Sequence, residues 1–283
     1  MISEELQKKI DRSIKLLQSV AKGYDGEIEV AYSGGKDSDV ILQLAKEAGI
    51  KYRAIYKNTT IDPPGTIAHV KAMGVEVMQP EKSFFQWVHK KGWPMRIGRF
   101  CCQKLKEYKT PNMEKCIIGV RKSESRARDE RYKEPTQCMG TKKSPYEAIY
   151  PLLDWTDDDV LQFIIDRNIK CAPIYYDEQG TFHVERRLGC MCCPLIYHKK
   201  RIEEFKRYPR MVKAYLRAGQ KFRDLHPDLK RTTDNADVYE WFVREVWYET
   251  DAKWNKHRDS WRLFGKPDYK AFLEEQFGID LTL

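Results

Sequence analysis

The segment Ser33-Gly34-Gly35-Lys36-Asp37-Ser38 constrains the fold of this chain more than any other feature. It follows a stretch at 27–32 that predicts a strand and precedes an apolar stretch at 40–44 that predicts a helix. Adjacent glycines let backbone N–H groups turn inward, and the start of a helix favours negative charge. The segment therefore predicts a phosphate-binding loop. Its spacing is too short for the GxxxxGK[ST] loop of kinases and GTPases, and an ordinary Gly-Gly turn is the alternative.

Predicted strands and helices alternate along the first two thirds of the chain. The pattern predicts strands at 27–32, 51–57, 74–78 and 116–120, and helices at 4–22, 38–49, 64–73, 83–91, 101–109 and 156–166. Alternation of this kind favours an α/β fold with a parallel sheet. The continuous apolar run at 116–120 is typical of a buried parallel strand.

The composition changes after Pro194, because residues 199–277 are helical in pattern and rich in Trp, Tyr and charge. We therefore expect a nucleotide-binding domain at 1–195 and a helical C-terminal domain at 196–283. The tryptophans of this tail are expected in the core of a helical bundle, with contact to a protein partner as the alternative. They are Trp241, Trp247, Trp254 and Trp261.

Charge and composition limit the class of protein. Aromatic residues make up 12% of the 283 residues, which argues against disorder. No run of 18 apolar residues and no signal peptide are present, so a cytoplasmic protein without a membrane span is expected. The net charge is +9, and the segment 195–231 holds 12 Lys or Arg against 4 Asp or Glu. Such a block with interleaved Tyr and Phe can bind nucleic acid, and a solvated helical surface is the alternative.

Eight cysteines in a chain expected in the cytoplasm indicate metal or redox chemistry before disulfides. Five of them form two clusters, Cys101-Cys102 and Cys190-Met191-Cys192-Cys193. The CxxC pair of Cys190 and Cys193 can bind one metal centre from a tight turn. Four thiolates suit zinc or an iron–sulfur cluster, and spacing alone does not choose between them. Cysteines 116, 138 and 171 are isolated and are interpreted as structural.

The phosphate loop resembles the PP-loop of the adenine nucleotide α-hydrolase superfamily, and within it the chain is most similar to the phosphoadenylyl-sulfate (PAPS) reductase family. Four further stretches carry the resemblance in the family's order. They are NTTIDPPGT at 58–66, RFCCQKLK at 99–106, GVRKSESR at 119–126 and PLLDWT at 151–156. The resemblance covers about residues 28–195 and leaves the helical tail uncovered.

The resemblance implies an enzyme that binds ATP or another adenine nucleotide and cleaves it at the α-phosphate. The residues implied to hold the phosphates are Ser33, Gly34, Gly35, Lys36, Asp37 and Ser38, where Asp37 would also help to hold Mg²⁺. Thr59 and Asp62 would lie near the nucleotide. Lys104, Arg121, Glu124 and Arg126 would surround the anionic part of the substrate, and the catalytic group would be Lys36, Asp37, Lys104 and Arg121.

The pairing of the two cysteine clusters resembles the [4Fe–4S] ligand set of adenylyl-sulfate reductases. The implied ligands are Cys101, Cys102, Cys190 and Cys193, with Zn²⁺ or no metal as alternatives. Cys192 departs from that pattern, as a substitute ligand or as a free reactive thiol.

Three functions are compatible with these features. The first is an ATP-using enzyme that adenylates an acceptor oxygen, releases pyrophosphate and serves sulfur transfer or nucleotide modification. The second is a sulfite-forming sulfonucleotide reductase, although the family's nucleophilic cysteine near the C-terminus has no counterpart after Cys193. The third is a non-catalytic subunit that binds a nucleotide and contacts a protein partner through its helical tail.

Overall fold

The computed structural model describes residues 2–141, 144–262, 265 and 267–283. These residues form two compact units. The first unit comprises Met1–Asn58, Asp62–Gln79 and Glu107–Gly189, and the second comprises Thr59–Ile61, Pro80–Lys106 and Cys190–Leu283. The expected domain boundary near residue 195 stays a prediction.

One six-stranded sheet organises the first unit, in the order β3-β2-β1-β4-β6-β5. The strands are β1 (Ile28–Tyr32), β2 (Tyr52–Lys57), β3 (Glu76–Met78), β4 (Lys115–Ile117), β5 (Thr136–Thr141) and β6 (Ser144–Ile149). All neighbours pair in parallel except β5 and β6, which form an antiparallel pair at the edge. The predicted α/β fold with a parallel sheet is confirmed, whereas the β5–β6 pair had no counterpart among the predicted strands.

The helices follow the predicted pattern closely. In chain order they are α1 (Glu4–Ala21), α2 (Lys36–Glu47), α3 (Thr66–Ala72), α4 (Phe84–Lys91), α5 (Phe100–Leu105), α6 (Arg126–Arg131), α7 (Asp157–Asp166), α8 (His198–Arg207), α9 (Pro209–Leu225), α10 (Lys230–Thr233), α11 (Val238–Phe242), α12 (Asp251–Arg262) and α13 (Tyr269–Phe277). The helix predicted at 101–109 is shorter than expected, since α5 ends at Leu105. Helix α7 begins with a capping box, because Thr156 accepts the Asp159 backbone N–H and Asp159 accepts that of Thr156.

The order of the strands places a crevice next to β1. The chain runs outward from β1 through β2 to β3, and then returns to β4 on the other side of β1. In open α/β sheets, ligands bind beyond the carboxyl ends of the strands at such a reversal. The loop at 33–35 follows β1, and the segment 118–121 follows β4, so both predicted motifs begin at this crevice.

Aromatic side chains form the core of the second unit, which is helical as predicted for residues 199–277. The rings of Trp93 and Trp241 stack with centroids 4.0 Å apart. Gly219 of α9 permits this packing, since a Cβ there would lie 2.3 Å from the Trp93 ring. Trp254 is also buried, Trp247 is half-buried, and the side chain of Trp261 lies outside the described residues.

Across the residues that the structure describes, every helix is too short or too polar to cross a membrane.

Candidate functional site

The phosphate loop joins β1 to α2 through two glycines, of which Gly34 has a backbone that favours glycine and Gly35 lies close to a neighbouring side chain. Gly34 has a φ of +78°, and a Cβ there would lie 3.1 Å from Cγ2 of Thr66. A Cβ on Gly35 would lie 3.3 Å from the hydroxyl of Tyr175. Gly35 is the N-cap residue of α2 and has no side chain that could accept from the first N–H groups of the helix. An uncapped helix start behind a glycine turn is an anion-binding arrangement.

Two hydroxyl groups line this loop, as the sequence predicted. Ser38 Oγ donates to the Gly35 carbonyl at 2.6 Å, and Ser33 Oγ donates to Ser38 Oγ at 3.3 Å. The Lys36 backbone N–H donates to the Tyr175 hydroxyl at 3.1 Å. Tyr175 thus holds the loop, although it lies in none of the motifs identified in the sequence.

Arg121 is the most deeply buried cation of the first unit's predicted site, with 1% of its surface exposed. Its Nε donates to Asp37 Oδ1 at 2.7 Å and its Nη2 donates to Asp157 Oδ1 at 2.7 Å. The other Asp37 oxygen lies 3.4 Å from Lys36 Nζ. Asp37 therefore links the loop lysine to the arginine, and three of the four predicted catalytic residues are in contact.

Two further arginines, Arg128 and Arg187, lie near this group, and neither was among the predicted site residues. Arg128 forms an ion pair with Glu124, and Arg187 Nη2 donates to the Glu124 carbonyl at 3.3 Å. Burial and the neighbouring positive charges of Arg187 and Arg121 lower the pKa of Arg128. Arg126, which the resemblance implied, is exposed. Positive charge therefore gathers around Glu124 in excess, as expected where an anion binds.

A buried polar network braces the loop from behind. The Tyr32 hydroxyl donates to Asp39 and lies 2.9 Å from Nε2 of His69, which is 3.0 Å from Asp39 Oδ1. Asp39 has no exposed surface, and burial raises its pKa. Since Tyr32 ends β1, Asp39 is in α2 and His69 is in α3, the network fixes three elements that meet at the loop. In the sequence, the only indication of this network is that an acidic residue, Asp39, lies among the apolar residues of α2.

The remaining predicted residues lie in different places. Asp62 belongs to the first unit, where it accepts from the Tyr56 hydroxyl, and its Oδ1 is buried without a hydrogen-bond partner among the described residues. Thr59 and Lys104 belong to the second unit. Thr59 is buried, and Lys104 Nζ lies 5.2 Å from the centre of the Trp87 ring.

All four predicted metal ligands line one pocket of the second unit. Cys101 and Cys102 lie in the first turn of α5, while Cys190 and Cys193 lie in the turn before α8. A hydrogen bond with Cys102, burial and the charges of Cys193 and Cys190 raise the pKa of Cys101. The four thiols therefore line one pocket, and their role as metal ligands stays a prediction.

The thiols of this pocket are donors of a type that binds metal centres, but their arrangement does not form a metal site. Among the described residues no group of three or more Cys, His, Asp or Glu side chains is arranged to hold a metal ion. Thr59, Ile61, Phe84, Leu105 and Tyr215 also line the pocket, which is almost entirely apolar. Four soft donors around a dry apolar space suit an iron–sulfur cluster or zinc.

Cys192 is a structural residue of the cysteine turn. Its side chain is buried with 0% exposure, and its φ of +56° reverses the chain between the flanking cysteines. Its N–H donates to Glu204 at 2.7 Å, and its carbonyl accepts from Arg201 Nε at 3.0 Å. Burial and the Glu204 charge raise the pKa of its thiol, which disfavours the reactive thiolate.

Comparison with known proteins identifies the family of this chain. Residues 27–196 match the phosphoadenosine phosphosulfate reductase domain family, and the chain belongs to that family. An uncharacterized protein of Methanocaldococcus jannaschii is 26% identical over 231 residues, 77% of this chain and 54% of the relative. The chain thus spans about half the length of that relative. Sulfate adenylyltransferase subunit 2 of Shewanella pealeana is 25% identical over 62% of this chain and 68% of its own.

Solved structures give weaker similarities. PAPS reductase from Candida auris, as a phosphate complex, has a TM-score of 0.44 and 16% identity, covering 61% of this chain and 90% of that one. FMN adenylyltransferase of Candida glabrata in complex with ATP has a TM-score of 0.45 and 15% identity, covering 65% of each chain.

Proposed function

We propose that this chain is an ATP-dependent enzyme that transfers an adenylyl group to an acceptor oxygen in sulfur transfer or nucleotide modification. The acceptor oxygen attacks the α-phosphorus, the bond between the α-phosphorus and the oxygen bridging to the β-phosphate breaks, and pyrophosphate leaves with that electron pair. The contact of Lys36, Asp37 and Arg121 at the uncapped start of α2 carries this proposal. A relative named as a sulfate adenylyltransferase subunit supports it.

Each group of the site has a part in this reaction. The loop N–H groups, Ser33, Ser38 and Lys36 would bind the leaving pyrophosphate, and Mg²⁺ would lie on the phosphates beside Asp37. Arg121, with Arg128 and Arg187, would stabilise charge that develops on the transferring phosphoryl group. The residues of the first unit that complete the nucleotide site in this proposal are Gly34, Gly35, Asp62, Glu124 and Arg126. The unpaired Asp62 Oδ1 suits a ribose hydroxyl.

The loop assignment is tested by ATP binding. Replacing Lys36→Ala together with Ser38→Ala removes one cation and one hydroxyl from the loop, so ATP affinity should fall at least about 10-fold, or about 1.4 kcal/mol. Isothermal titration calorimetry measures this. Lys46→Ala, in the last turn of the same helix, is the matched control and should bind as the unmodified protein does. Equal affinity in the double variant would remove the loop from the proposal.

We further assign Cys101, Cys102, Cys190 and Cys193 as ligands of a [4Fe–4S] cluster, with Zn²⁺ as the alternative. When bound, a cluster supplies one-electron redox capacity and a local field. The chain itself would contribute an apolar pocket and a rigid turn, which carries Cys190 and Cys193, to the binding of the cluster. Arg201 and Glu204 hold the Cys192 backbone from both sides, which fixes the spacing of the flanking thiols.

The sulfonucleotide reductase alternative requires an exposed, mobile thiolate that attacks the sulfate sulfur. The four cysteines of the pocket are committed to the metal in this proposal, and Cys192 is buried in its turn. Cys138 is exposed on β5 but lies outside every motif that the sequence contains. We therefore expect no sulfite from adenylyl sulfate or PAPS with reduced thioredoxin, as measured by a sulfite-release assay on the iron-loaded protein. Sulfite that disappears in Cys192→Ser would favour the reductase instead. A non-catalytic subunit, the third candidate, would bind ATP without forming any product.

The helical tail offers a surface for a nucleic-acid acceptor. Arg210, Lys213, Arg217 and Lys221 recur at intervals of three and four residues along α9, so they share one face. Arg210, Arg217 and Lys221 are exposed, and Lys213 is half-buried 3.7 Å from Asp280. The interleaved aromatics of this block are core residues instead, since Tyr215 and Phe222 are buried. The proposed surface would therefore bind nucleic acid through contacts to its phosphates and not through stacking on its bases.

Charge reversal on this face tests the acceptor. Arg217→Glu with Lys221→Glu should weaken binding of a single-stranded oligonucleotide at least tenfold and lower the salt slope by about 0.7 per lost contact. Fluorescence anisotropy with DNA and RNA of one sequence measures both. Lys15→Glu with Lys46→Glu changes the net charge equally on the first unit and should leave binding nearly unchanged. Equal losses in both pairs would indicate only nonspecific attraction and would remove this surface.

A further inference from the structure

Two hydrogen-bond donors beside the cysteine pocket lack an acceptor. Tyr215 lines the pocket together with the four cysteines, and its hydroxyl is buried without a partner among the described residues. Arg201 is 1% exposed, and its Nη2 is likewise buried without a partner there. Both residues belong to the same compact unit as the cysteines.

The surrounding side chains fix where these donors lie. The Tyr215 ring packs edge-on against Phe205 at 5.1 Å and obliquely against Phe84 at 5.6 Å. Arg201 is held through Nε to the Cys192 carbonyl at 3.0 Å and through Nη1 to Glu249 at 3.1 Å. Because the rest of each side chain is engaged, neither donor turns away to another acceptor without breaking a contact.

The Tyr215 hydroxyl lies at an apolar pocket that offers it no acceptor among the described residues. A buried donor without an acceptor is costly, and few native groups are left in that state. A cluster held by the four cysteines would bring sulfur atoms to this pocket, and these atoms can accept hydrogen bonds from the two donors.

We propose that Tyr215 and Arg201 are positioning residues that donate hydrogen bonds to sulfur atoms of the cluster and raise its reduction potential. Such bonds stabilise the reduced state, which carries one more negative charge. This inference rests on the iron–sulfur assignment made in the proposed function. It adds the residues that set the potential and explains why two polar groups persist unpaired in an apolar core.

The test compares the full-length protein, purified anaerobically, with its Tyr215→Phe variant. Both should carry the same iron content. We expect the one-electron reduction equilibrium of the variant to shift about tenfold toward the oxidised state, which is 59 mV to the negative side. A redox titration followed by absorption and electron paramagnetic resonance measures it. Tyr239→Phe is the matched control, because that hydroxyl already donates to the Leu281 carbonyl at 2.9 Å, and no shift is expected.

A second measurement separates this role from a structural one. In chelator-treated, iron-free protein, Tyr215→Phe removes an unpaired hydroxyl, so its melting temperature should be equal or higher. A lower melting temperature would show that the hydroxyl has a protein partner and would overturn the inference. An unchanged reduction potential in the iron-loaded Tyr215→Phe variant would also overturn the inference, but it would leave the cluster assignment intact. Absence of iron from the unmodified protein would overturn both.

Discussion

Replacing Arg121→Met should abolish most ATP-dependent pyrophosphate release, with a loss of about 10²- to 10³-fold in rate. Arg121 is buried and donates directly to Asp37 at the start of α2, so its charge lies where the transferring phosphoryl group would be. Methionine has similar length and keeps the packing but carries no charge. The rate is measured by coupled pyrophosphate detection at saturating ATP.

The same change should also destabilise the protein, by about 3 kcal/mol, because Asp37 and Asp157 lose a buried partner. This lies at the low end of the usual range, since Asp37 keeps Lys36 at 3.4 Å and Asp157 is largely exposed. Adding Asp37→Asn should restore much of the stability but none of the rate. Chemical denaturation measures the free energy of unfolding of each variant.

Lys122→Met is the matched control for Arg121. This neighbouring cation forms an exposed ion pair with Asp154 at 2.8 Å, so its loss should change stability by at most about 1 kcal/mol. Its pyrophosphate release should equal that of the unmodified protein. Full activity in Arg121→Met would contradict the assignment of that residue to the transferring phosphoryl group.

Replacing Cys102→Ser together with Cys193→Ser should remove nearly all iron from the anaerobically purified protein, which we expect to hold about four iron atoms per chain. One ligand is lost from each cysteine cluster, and both thiols line the same pocket. Iron and zinc assays with an absorption spectrum measure the outcome. Melting temperature should also fall, because binding free energy of such a centre contributes to folding.

Cys138→Ser is the control for the cysteine pair, since that thiol is exposed on β5 and is remote from both clusters in sequence. Its iron content should be unchanged. One zinc per chain without iron would establish the zinc alternative. Retention of full iron in the double serine variant would contradict this ligand set.

The fold and the phosphate loop were predictable from sequence because both depend on local patterns. The apolar strand before Ser33 and the helical run after Ser38 are contiguous, so periodicity alone identified them. The cysteine pocket was predictable from the pairing of two clusters, although those clusters are about 90 residues apart in sequence. Its four thiols do line one pocket.

Residues that act through distant partners were not predictable. Arg187 reaches the Glu124 carbonyl across 63 positions, and Tyr175 holds the Lys36 N–H across 139. Neither residue lies in a motif. An arginine in a charged run is interpreted as solvent-exposed unless its partner is known, and the sequence alone does not identify that partner. The Nζ of Lys104 lies 5.2 Å from the centre of the Trp87 ring, and the anion-binding role that its motif implied stays a prediction.

Product analysis with ATP labelled at the α-phosphate tests the central claim most directly. The protein is incubated with Mg²⁺, labelled ATP and a single-stranded oligonucleotide, and products are separated chromatographically. The account predicts that label appears in AMP or in an adenylylated acceptor, with one pyrophosphate released per labelled product, and that Arg121→Met forms neither. Label in ADP with release of orthophosphate, or no product at an ATP-saturated site, would contradict it.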